Sequence, residues 1–463
     1  MNTDIAVPKA GAAPLPELAA FLAPFAPLFR RSQSREGLER SVTGLLTDLP
    51  RKNCDTIAAA VAGTSPERLQ HLLTDADWDP LALDEQRVRH LVTLSPPNGI
   101  LAIDDTGLPK QGKASPGVAR QYSGTLGKVG NCQIVVSAEY VVDDPTTSQP
   151  LHWPVSARLY LPQTWADYPV RRERAHVPPA RSFATKITLA LELIDRAVAW
   201  GVPFAAVAAD AGYGSNPGFV AGLEARHLAY VVGIEKRFGL RLPTDVGGQA
   251  SASPPPYSGR GRPRRVSPAP LQTPESLMAT FTEDQWQPLH WRKGGSGSLG
   301  KQFVAVRVHP ATGSAQNPSR LTTGPEGWLL VERPLPGEDG DTKYFLSNLP
   351  LDTSLLRLAT ICHGRWPIEQ FYEDAKGECG LDDYQGRRWD GVHRHLALVM
   401  LTYCFLLLHR ATPSGEGGFS PLRPQPVLPG GPSPDPRLAP AGPRPLVHRH
   451  QPDPILPPSA LLT

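Results

Sequence analysis

Aspartate residues lie at the ends of two short apolar segments that are typical of buried strands. Asp104 and Asp105 close the run "GILAIDD", and Asp210 closes "FAAVAAD". Glu369 follows in the helix-like segment "RWPIEQFYEDAK". Ligands of open α/β sheets bind outside the carboxyl ends of the parallel strands, where Asp210 is expected. Converging carboxylates suit hard ions such as Mg²⁺, and a pair of ions stabilises both oxygens of a phosphodiester displacement. We therefore predict a metal-dependent phosphodiester-cleaving site.

Two cations accompany Glu369 at helical spacing. Arg365 precedes it by four residues and Lys376 follows it by seven, which predicts one shared helix face. The alternative is an amphipathic surface helix whose Arg–Glu pair contributes only a few tenths of a kcal/mol. Pro367 should begin or kink the helix, so we expect Arg365 to lie just outside it.

The elements around the aspartates follow a recognisable order. "GILAIDDTG", "NCQIVVSAEYVVDD" and "LHWPVSARLYLP" predict three sequential antiparallel strands. A helix follows, with Ser182 as its candidate N-cap and Gly201 at its end. "FAAVAAD", the turn "AGYGSNPG", the helix "FVAGLEARH" and the strand "LAYVVGI" then form a parallel βαβ unit. This order predicts an α/β protein with a ribonuclease H-like core that begins in residues 96–239.

Residues 1–95 have helical periodicity throughout most of their length. "TSPERLQHLL" offers Thr64 or Ser65 as a cap and Pro66 as the first helical residue. Two short helices around a Gly-containing turn fit a helix-turn-helix DNA-binding domain, and an ordinary helical bundle fits equally well. Basic residues weakly favour a DNA-facing role for this region: Arg30, Arg31, Arg35, Arg40, Arg51 and Lys52.

The second half of the chain changes composition twice. Residues 240–348 read as a β-rich insertion with a basic Pro/Gly loop, "GGQASASPPPYSGRGRPRR". Arg260 and Arg262 in that loop fit a DNA-binding arm that enters the minor groove, and a solvated linker is the alternative. Helical periodicity returns in 349–410, the C-terminal helical part of the core. Its apolar run "LALVMLTYCFLLLH" is too short for a membrane span and predicts a buried helix.

Composition excludes several classes of protein. The 463 residues are 40% hydrophobic and 20% charged, which is typical of a soluble globular protein rather than a disordered one. The net charge of +3 says little about partners. Five scattered cysteines without CxxC pairs indicate a reducing compartment and no structural zinc. The N-terminus lacks a secretory signal pattern, so we expect a cytoplasmic, nucleoid-associated protein.

The acidic segments together resemble a known family. "IDDTG", "ADAGYG" and "RWPIEQFYEDAK" are similar to the three acidic blocks of DDE transposases from bacterial insertion sequences, of the 701 family type. The wider group carries a Tyr-x2-Arg-x3-Glu-x6-Lys signature. This chain matches it at Arg365, Glu369 and Lys376, whereas Cys362 stands at the tyrosine position.

The resemblance implies roles for individual residues. Asp105, which precedes Thr106, would act with Asp210 and Glu369 as the catalytic metal ligands, and Asp104 would be the less important neighbour. The metals would be two Mg²⁺ or Mn²⁺ ions. By the same likeness, Arg365 and Lys376 would contact DNA phosphates, a role that suits their charge.

The implied activity is cut-and-paste DNA transposition. A homodimer would cleave the terminal repeats of an insertion sequence, and the freed 3′-hydroxyl groups would attack target DNA. Two alternatives stay open at this point. One is an endonuclease of the ribonuclease H fold that never joins strands, and the other is an inactive DNA-binding repressor derived from a transposase.

The tail, residues 411–463, departs from the rest of the chain. It is rich in proline, contains no lysine and lacks any helical or strand periodicity, which predicts disorder. A natural flexible tail is one explanation. The one we favour is a frameshift in a GC-rich gene, because reading such DNA out of frame yields Pro, Arg, Gly and Ala. The copy would then be weakly active or inactive.

Overall fold

The computed structural model describes residues 10–11, 13, 15–142, 150–247, 271–294, 297–314 and 317–410. The described residues all belong to one compact unit. The Pro-rich tail lies outside the described residues, and so do Arg260 and Arg262 of the basic loop. What the sequence predicts for these two segments therefore stays a prediction.

A mixed sheet of 12 strands forms the centre of the described structure. The strands are β1 Gly99–Pro109, β2 Ala119–Ser123, β3 Lys128–Val142, β4 Leu151–Leu159, β5 Phe204–Ala209, β6 Tyr230–Ile234, β7 Leu240–Arg241, β8 Gln287–Gly294, β9 Gly297–Ser314, β10 Asn317–Thr323, β11 Gly327–Arg333 and β12 Lys343–Ser347. The main path of the sheet runs β10-β9-β11-β12-β6-β5-β1-β3-β2, with β4 on β3 and both β7 and β8 on β9.

The strand pairing agrees with the predicted order. β1 pairs antiparallel with β3, and β3 pairs antiparallel with β4. β5 pairs parallel with both β1 and β6, which confirms the predicted βαβ unit. The core strand β2, a short hairpin partner of β3, was not predicted. The large mixed sheet with its helices is consistent with a ribonuclease H-like core.

The β-rich insertion extends this same sheet. β12 pairs antiparallel with β6, so that Phe345 lies opposite Gly233. β11 then pairs with β12 and with β9. The predicted β content is therefore present, and its strands continue the core sheet at the β6 edge.

Helices pack on both faces of the sheet, and the N-terminal part of the chain that precedes β1 is helical. The helices are α1 Pro16–Leu22, α2 Ser32–Leu46, α3 Cys54–Ala60, α4 Pro66–Thr74, α5 Pro80–Leu94, α6 Gln163–Ala166, α7 Pro169–Arg174, α8 Lys186–Ala199, α9 Ala211–Gly214, α10 Pro217–Ala225, α11 Pro243–Gly247, α12 Pro274–Met278, α13 Leu355–His363, α14 Trp366–Cys379 and α15 Trp389–Arg410.

Helix starts test the predicted caps directly. Ser65 accepts a hydrogen bond from the Arg68 N–H, and Pro66 begins α4, as predicted for that residue. The Ser182 prediction is wrong, because the Thr185 hydroxyl caps α8 by accepting from the Thr188 N–H at 3.1 Å. The predicted turn after β5 contains the one-turn helix α9.

The two faces of β1 pack into different parts of the core. Ile100 and Ala102 belong to the apolar cluster that includes α14 and α15. Leu101 and Ile103 belong to the cluster that includes α8 and α10. Successive side chains of a strand point to opposite faces, so the two aspartates that follow must diverge in the same way.

Helix α15 is the buried helix that its apolar run predicts. Its length and composition would suffice to cross a membrane, but 72% of its most apolar window is buried within the protein. Residues of α2 and α4 pack into the same apolar cluster as α15, for example Leu38, Leu72 and Leu401. The N-terminal segment is thus helical and shares a core with α15, whereas its helix-turn-helix role stays a prediction.

Two cations of the N-terminal segment have internal roles. Arg40 is 4% exposed and donates to the Gly11 carbonyl at 2.7 Å. Lys52 is 5% exposed, and its Nζ donates to the carbonyls of Leu45 and Glu378. Because both side chains satisfy backbone acceptors inside the protein, including these two among DNA-facing residues was wrong.

Arg87 generates a stability prediction. It is 1% exposed, pairs with buried Asp84 at 2.9 Å and donates to the Pro154 and Val155 carbonyls of β4. Arg87→Met would leave a buried carboxylate and two carbonyls without this partner. We expect the free energy of unfolding in urea to fall by about 3–5 kcal/mol.

The matched control lies on the same helix. Arg89 pairs with Glu85 at 2.7 Å, and both side chains are exposed. Arg89→Met should cost less than about 1 kcal/mol. Equal losses in the two variants would show that the Arg87 network does not stabilise the contact between α5 and β4.

Candidate active site

Arg365 brings two of the predicted carboxylates together. Its Nη1 donates to Asp104 Oδ2 at 2.5 Å, and its Nη2 donates to Glu369 Oε1 at 2.5 Å. Arg365 occupies the position before α14, and Pro367 lies in the first turn. This confirms that the arginine lies just outside the helix. The pair links the central strand β1 to α14.

Asp210 belongs to the same acidic cluster. It follows β5 and caps α9, where its Oδ1 accepts hydrogen bonds from the N–H groups of Gly212 at 3.0 Å and Tyr213 at 3.2 Å. Its negative charge acts on Asp104, whose pKa it helps to raise, and on Arg365. The charges of Asp104, Asp210 and Glu369 thus all act on Arg365, whereas the sequence prediction had Asp105 in the place of Asp104.

The acidic cluster has three carboxyl groups, and Arg365 is the cation that pairs with two of them. Burial, together with the charges of Asp210 and Asp105, raises the pKa of Asp104 to about 7, although the Arg365 guanidinium opposes this rise. A bound divalent cation would favour the charged carboxylates. The oxygen-only donor set of Asp104, Asp210 and Glu369 also suits Mg²⁺ or Mn²⁺. The residues present thus fit a divalent metal.

Asp105 lies on the other face of β1. Both of its carboxylate oxygens accept hydrogen bonds from Lys186 Nζ, at 2.9 Å and 3.0 Å. The Tyr213 hydroxyl donates to Asp105 Oδ2 at 3.0 Å. These contacts favour Asp104 as the neighbour of Arg365 and Glu369. The preference for Asp105 as a metal ligand stays a prediction from the family resemblance.

Sequence reasoning missed Lys186 and Tyr213. Tyr213 stands within the quoted block "ADAGYG", three residues after Asp210, so its proximity to the site was available from the sequence. Lys186 is the first residue of α8 and lies 81 residues from Asp105. No local pattern connects Lys186 to the strand end, and only the packing of α8 on β1 brings them together.

Lys376 contacts hydroxyl groups rather than carboxylates. Its Nζ donates to Thr106 Oγ1 and to Thr125 Oγ1, both at 2.8 Å. Burial lowers the pKa of Lys376. Thr106 is two residues beyond Asp104 and shares its face of β1. The lysine is therefore a half-buried cation beside the acidic cluster, in a position to meet a phosphate bound there.

Sequence comparison relates the chain to known proteins. The family described as DDE superfamily endonuclease matches residues 24–298, which is more than half of the chain. The match includes Asp104, Asp105 and Asp210 and ends before Glu369. The chain is also 32% identical over 209 residues to a "Probable transposase for insertion sequence element IS701" from Microchaete diplosiphon. That similarity covers 45% of this chain, and the chain spans about half the length of that relative.

Asp104 gives the metal-free protein a testable pH dependence. Its pKa is about 7 in the fold against an ordinary 3.8, so the folded chain holds an extra proton between these values. This extra proton stabilises the folded chain. Its contribution is fully present below the ordinary pKa of 3.8 and is lost as the pH rises through the raised pKa of about 7. With chelator present, urea titrations should show the free energy of unfolding falling between about pH 4 and about pH 7.5 and levelling off above that.

The variant Asp104→Asn isolates this contribution. Because its side chain cannot titrate, its free energy of unfolding should fall less over the same pH interval than that of the unsubstituted chain. Equal pH slopes for the two proteins would contradict the assignment of the proton to Asp104.

Proposed function

Because the chain belongs to the DDE superfamily endonuclease family, we propose that it is a DNA transposase that cleaves insertion-sequence ends and joins them to target DNA. One observation carries the proposal: Arg365 pairs with both Asp104 and Glu369, and the charge of Asp210 acts on Asp104 and on the same arginine. The similarity to an insertion-sequence transposase supports transposition as the purpose of that site.

The proposed metal ligands are Asp104, Asp210 and Glu369, and the family resemblance keeps Asp105 as the alternative first ligand. Two Mg²⁺ or Mn²⁺ ions would supply activation of the attacking hydroxyl and neutralisation of charge on the leaving oxygen. Their number and identity are part of the proposal. The rigid elements β1, the β5–α9 junction and α14 would keep the three carboxylates oriented.

The cations would position DNA. Arg365 has a planar guanidinium that can exchange its carboxylate partners for a phosphate, to which it binds in the same bidentate manner. Lys376 would contact a second phosphate from beside β1. Lys186 and Tyr213 hold Asp105 and would thereby steady the strand end. Arg260 and Arg262 lie outside the described residues, and their DNA contact stays a prediction.

The partners follow from the proposed reaction. The chain would bind terminal repeats and target DNA, and it would act as a homodimer in the cytoplasm, in association with the nucleoid. The test uses duplexes copied from the DNA that flanks the gene, together with a target plasmid. Joined products would support a transposase, cleavage without joining would indicate an endonuclease, and binding alone would indicate a repressor.

The carboxylates generate a prediction for cleavage. Asp104→Asn, Asp210→Asn and Glu369→Gln should each lower the rate of strand cleavage by on the order of 10³-fold. Binding to the terminal-repeat duplex should change little, because metal ligands serve the transition state more than the ground state. Gel assays of cleavage and binding on the same preparations measure both quantities.

The controls separate the two neighbouring aspartates. Asp105→Asn should be milder than Asp104→Asn, and the opposite result would return the ligand role to Asp105. Asp195→Asn removes only a surface carboxylate paired with Arg226 and should leave cleavage unchanged. Full cleavage in excess chelator would rule out a metal-dependent reaction.

Arg365 generates a prediction for metal affinity without DNA. Its guanidinium contacts two of the proposed ligands, so a divalent ion must compete with that positive charge. Arg365→Ala should therefore tighten Mn²⁺ binding by about tenfold, measured by calorimetry on the free protein. The same variant should weaken binding to cleaved DNA ends and reduce its salt dependence.

Lys376→Ala is the matched control. It should weaken DNA-end binding in the same way, because it also removes one phosphate-contacting cation. It should leave Mn²⁺ affinity nearly unchanged, because Lys376 contacts threonine hydroxyls. Unchanged Mn²⁺ affinity in Arg365→Ala would show that the arginine does not compete with the metal.

A further inference from the structure

A second group of metal-ligating side chains lies apart from the acidic cluster. Glu332 belongs to β11, and Cys362 and His363 end α13. They offer one carboxylate oxygen, one sulfur and one ring nitrogen, and these three atoms lie within 4.8 Å of one another. His363 Nε2 is 2.8 Å from Glu332 Oε2. Two elements distant in the sequence thus present three different donors to one point.

The surroundings of these donors are well packed, although the His363 side chain is 20% exposed. Glu332 is 3% exposed and Cys362 is 8% exposed. The His363 ring stacks on Trp291 with a centroid distance of 3.9 Å and an interplanar angle of 15°. The ring of Phe303 meets it edge-on at 6.1 Å. Two aromatic rings therefore restrict the orientation of the imidazole.

We propose that Glu332, Cys362 and His363 bind one Zn²⁺ ion. Sulfur and imidazole donors beside a single carboxylate are typical of zinc, whereas Mg²⁺ requires oxygen ligands. Zinc–ligand distances of about 2.0–2.3 Å place tetrahedral donors roughly 3–4 Å apart, so small side-chain rotations would close this set around the ion. The fourth position would hold a water molecule.

Charge balance supports the same ion. A thiolate, a carboxylate and a neutral imidazole carry two negative charges in total, which Zn²⁺ neutralises. Binding would release the thiol proton of Cys362 to solvent and replace the hydrogen bond between His363 and Glu332 by bonds from both side chains to the ion. A neutral site is far less costly to bury than an unbalanced charge, which suits a position lined by Trp291 and Phe303.

The ion would have a positioning role near the catalytic helix. Gly364 and Arg365 follow the cluster directly, and Gly364 packs so closely on β1 that a Cβ would lie 2.2 Å from Ile100 Cδ1. Zinc would therefore attach the end of α13 to β11 immediately before the turn that presents Arg365. Cys362 supplies the donor at the position where the resembled group carries tyrosine.

The experiment is a metal analysis of the full chain, independent of DNA. Protein produced with zinc in the medium and passed over a mild chelator should contain about one Zn²⁺ per chain. Cys362→Ser and His363→Gln should each reduce this to less than about one tenth of the wild-type content. Replacement of zinc by Co²⁺ should produce a sulfur-to-cobalt charge-transfer absorption band that Cys362→Ser abolishes.

Two further variants serve as controls. Cys54→Ser alters a half-buried cysteine elsewhere and should retain zinc and the cobalt band. Glu369→Gln alters the acidic cluster and should also retain both. Zinc that is lost in Glu369→Gln and kept in Cys362→Ser would belong to the acidic cluster and would overturn the proposal.

Zinc removal from the unsubstituted chain tests the site without any variant that could fail to fold. Removing zinc with a strong chelator should lower its melting temperature, and adding Zn²⁺ back should restore it. Folded wild-type protein that contains no stoichiometric zinc, or that shows no sulfur-to-cobalt band, would overturn the proposal. In that case Glu332 and His363 form only a buried hydrogen-bonded pair.

Discussion

The double ion pair of Arg365 joins the two elements on which the acidic cluster depends. Asp104 belongs to the central strand β1 and Glu369 to α14, so one guanidinium connects the strand to the helix. Burial makes the charge of Asp104 costly, and its pKa rises to about 7 even beside the arginine. The metal-free cluster is therefore held together by a cation that belongs to the chain. In the proposed reaction, Arg365 would exchange these carboxylates for a DNA phosphate.

The alternation of β1 gives its two neighbouring aspartates different surroundings. Asp104 shares a face with Ile100 and Ala102 and meets α14, whereas Asp105 meets Lys186 of α8 and Tyr213 of α9. The two carboxylates are adjacent in the chain and contact different cations. One face of the strand thus carries the proposed metal ligand, and the other attaches the strand end to the helices behind it.

Two sets of donors with different chemistry flank the start of α14. The acidic cluster offers only oxygen atoms and suits Mg²⁺ or Mn²⁺. The proposed zinc site offers sulfur, nitrogen and oxygen within 4.8 Å, in aromatic surroundings. Arg365 lies between them along the chain, two residues after His363 and four before Glu369. If both ions bind, each acts on one end of the segment that positions the arginine.

The sequence by itself determined the local features of the structure, namely its secondary-structure elements and the positions where some helices begin. Periodicity predicted the antiparallel strands and the parallel βαβ unit, a serine and a proline marked the start of α4, and Pro367 placed Arg365 outside its helix. Each of these features depends on residues only a few positions apart. The tertiary structure alone decided that Lys52 is internal, that Lys186 holds Asp105, and that Asp104 faces Arg365. These contacts join residues that are tens to hundreds of positions apart, and they depend on strand register and helix packing, which no short stretch of sequence specifies.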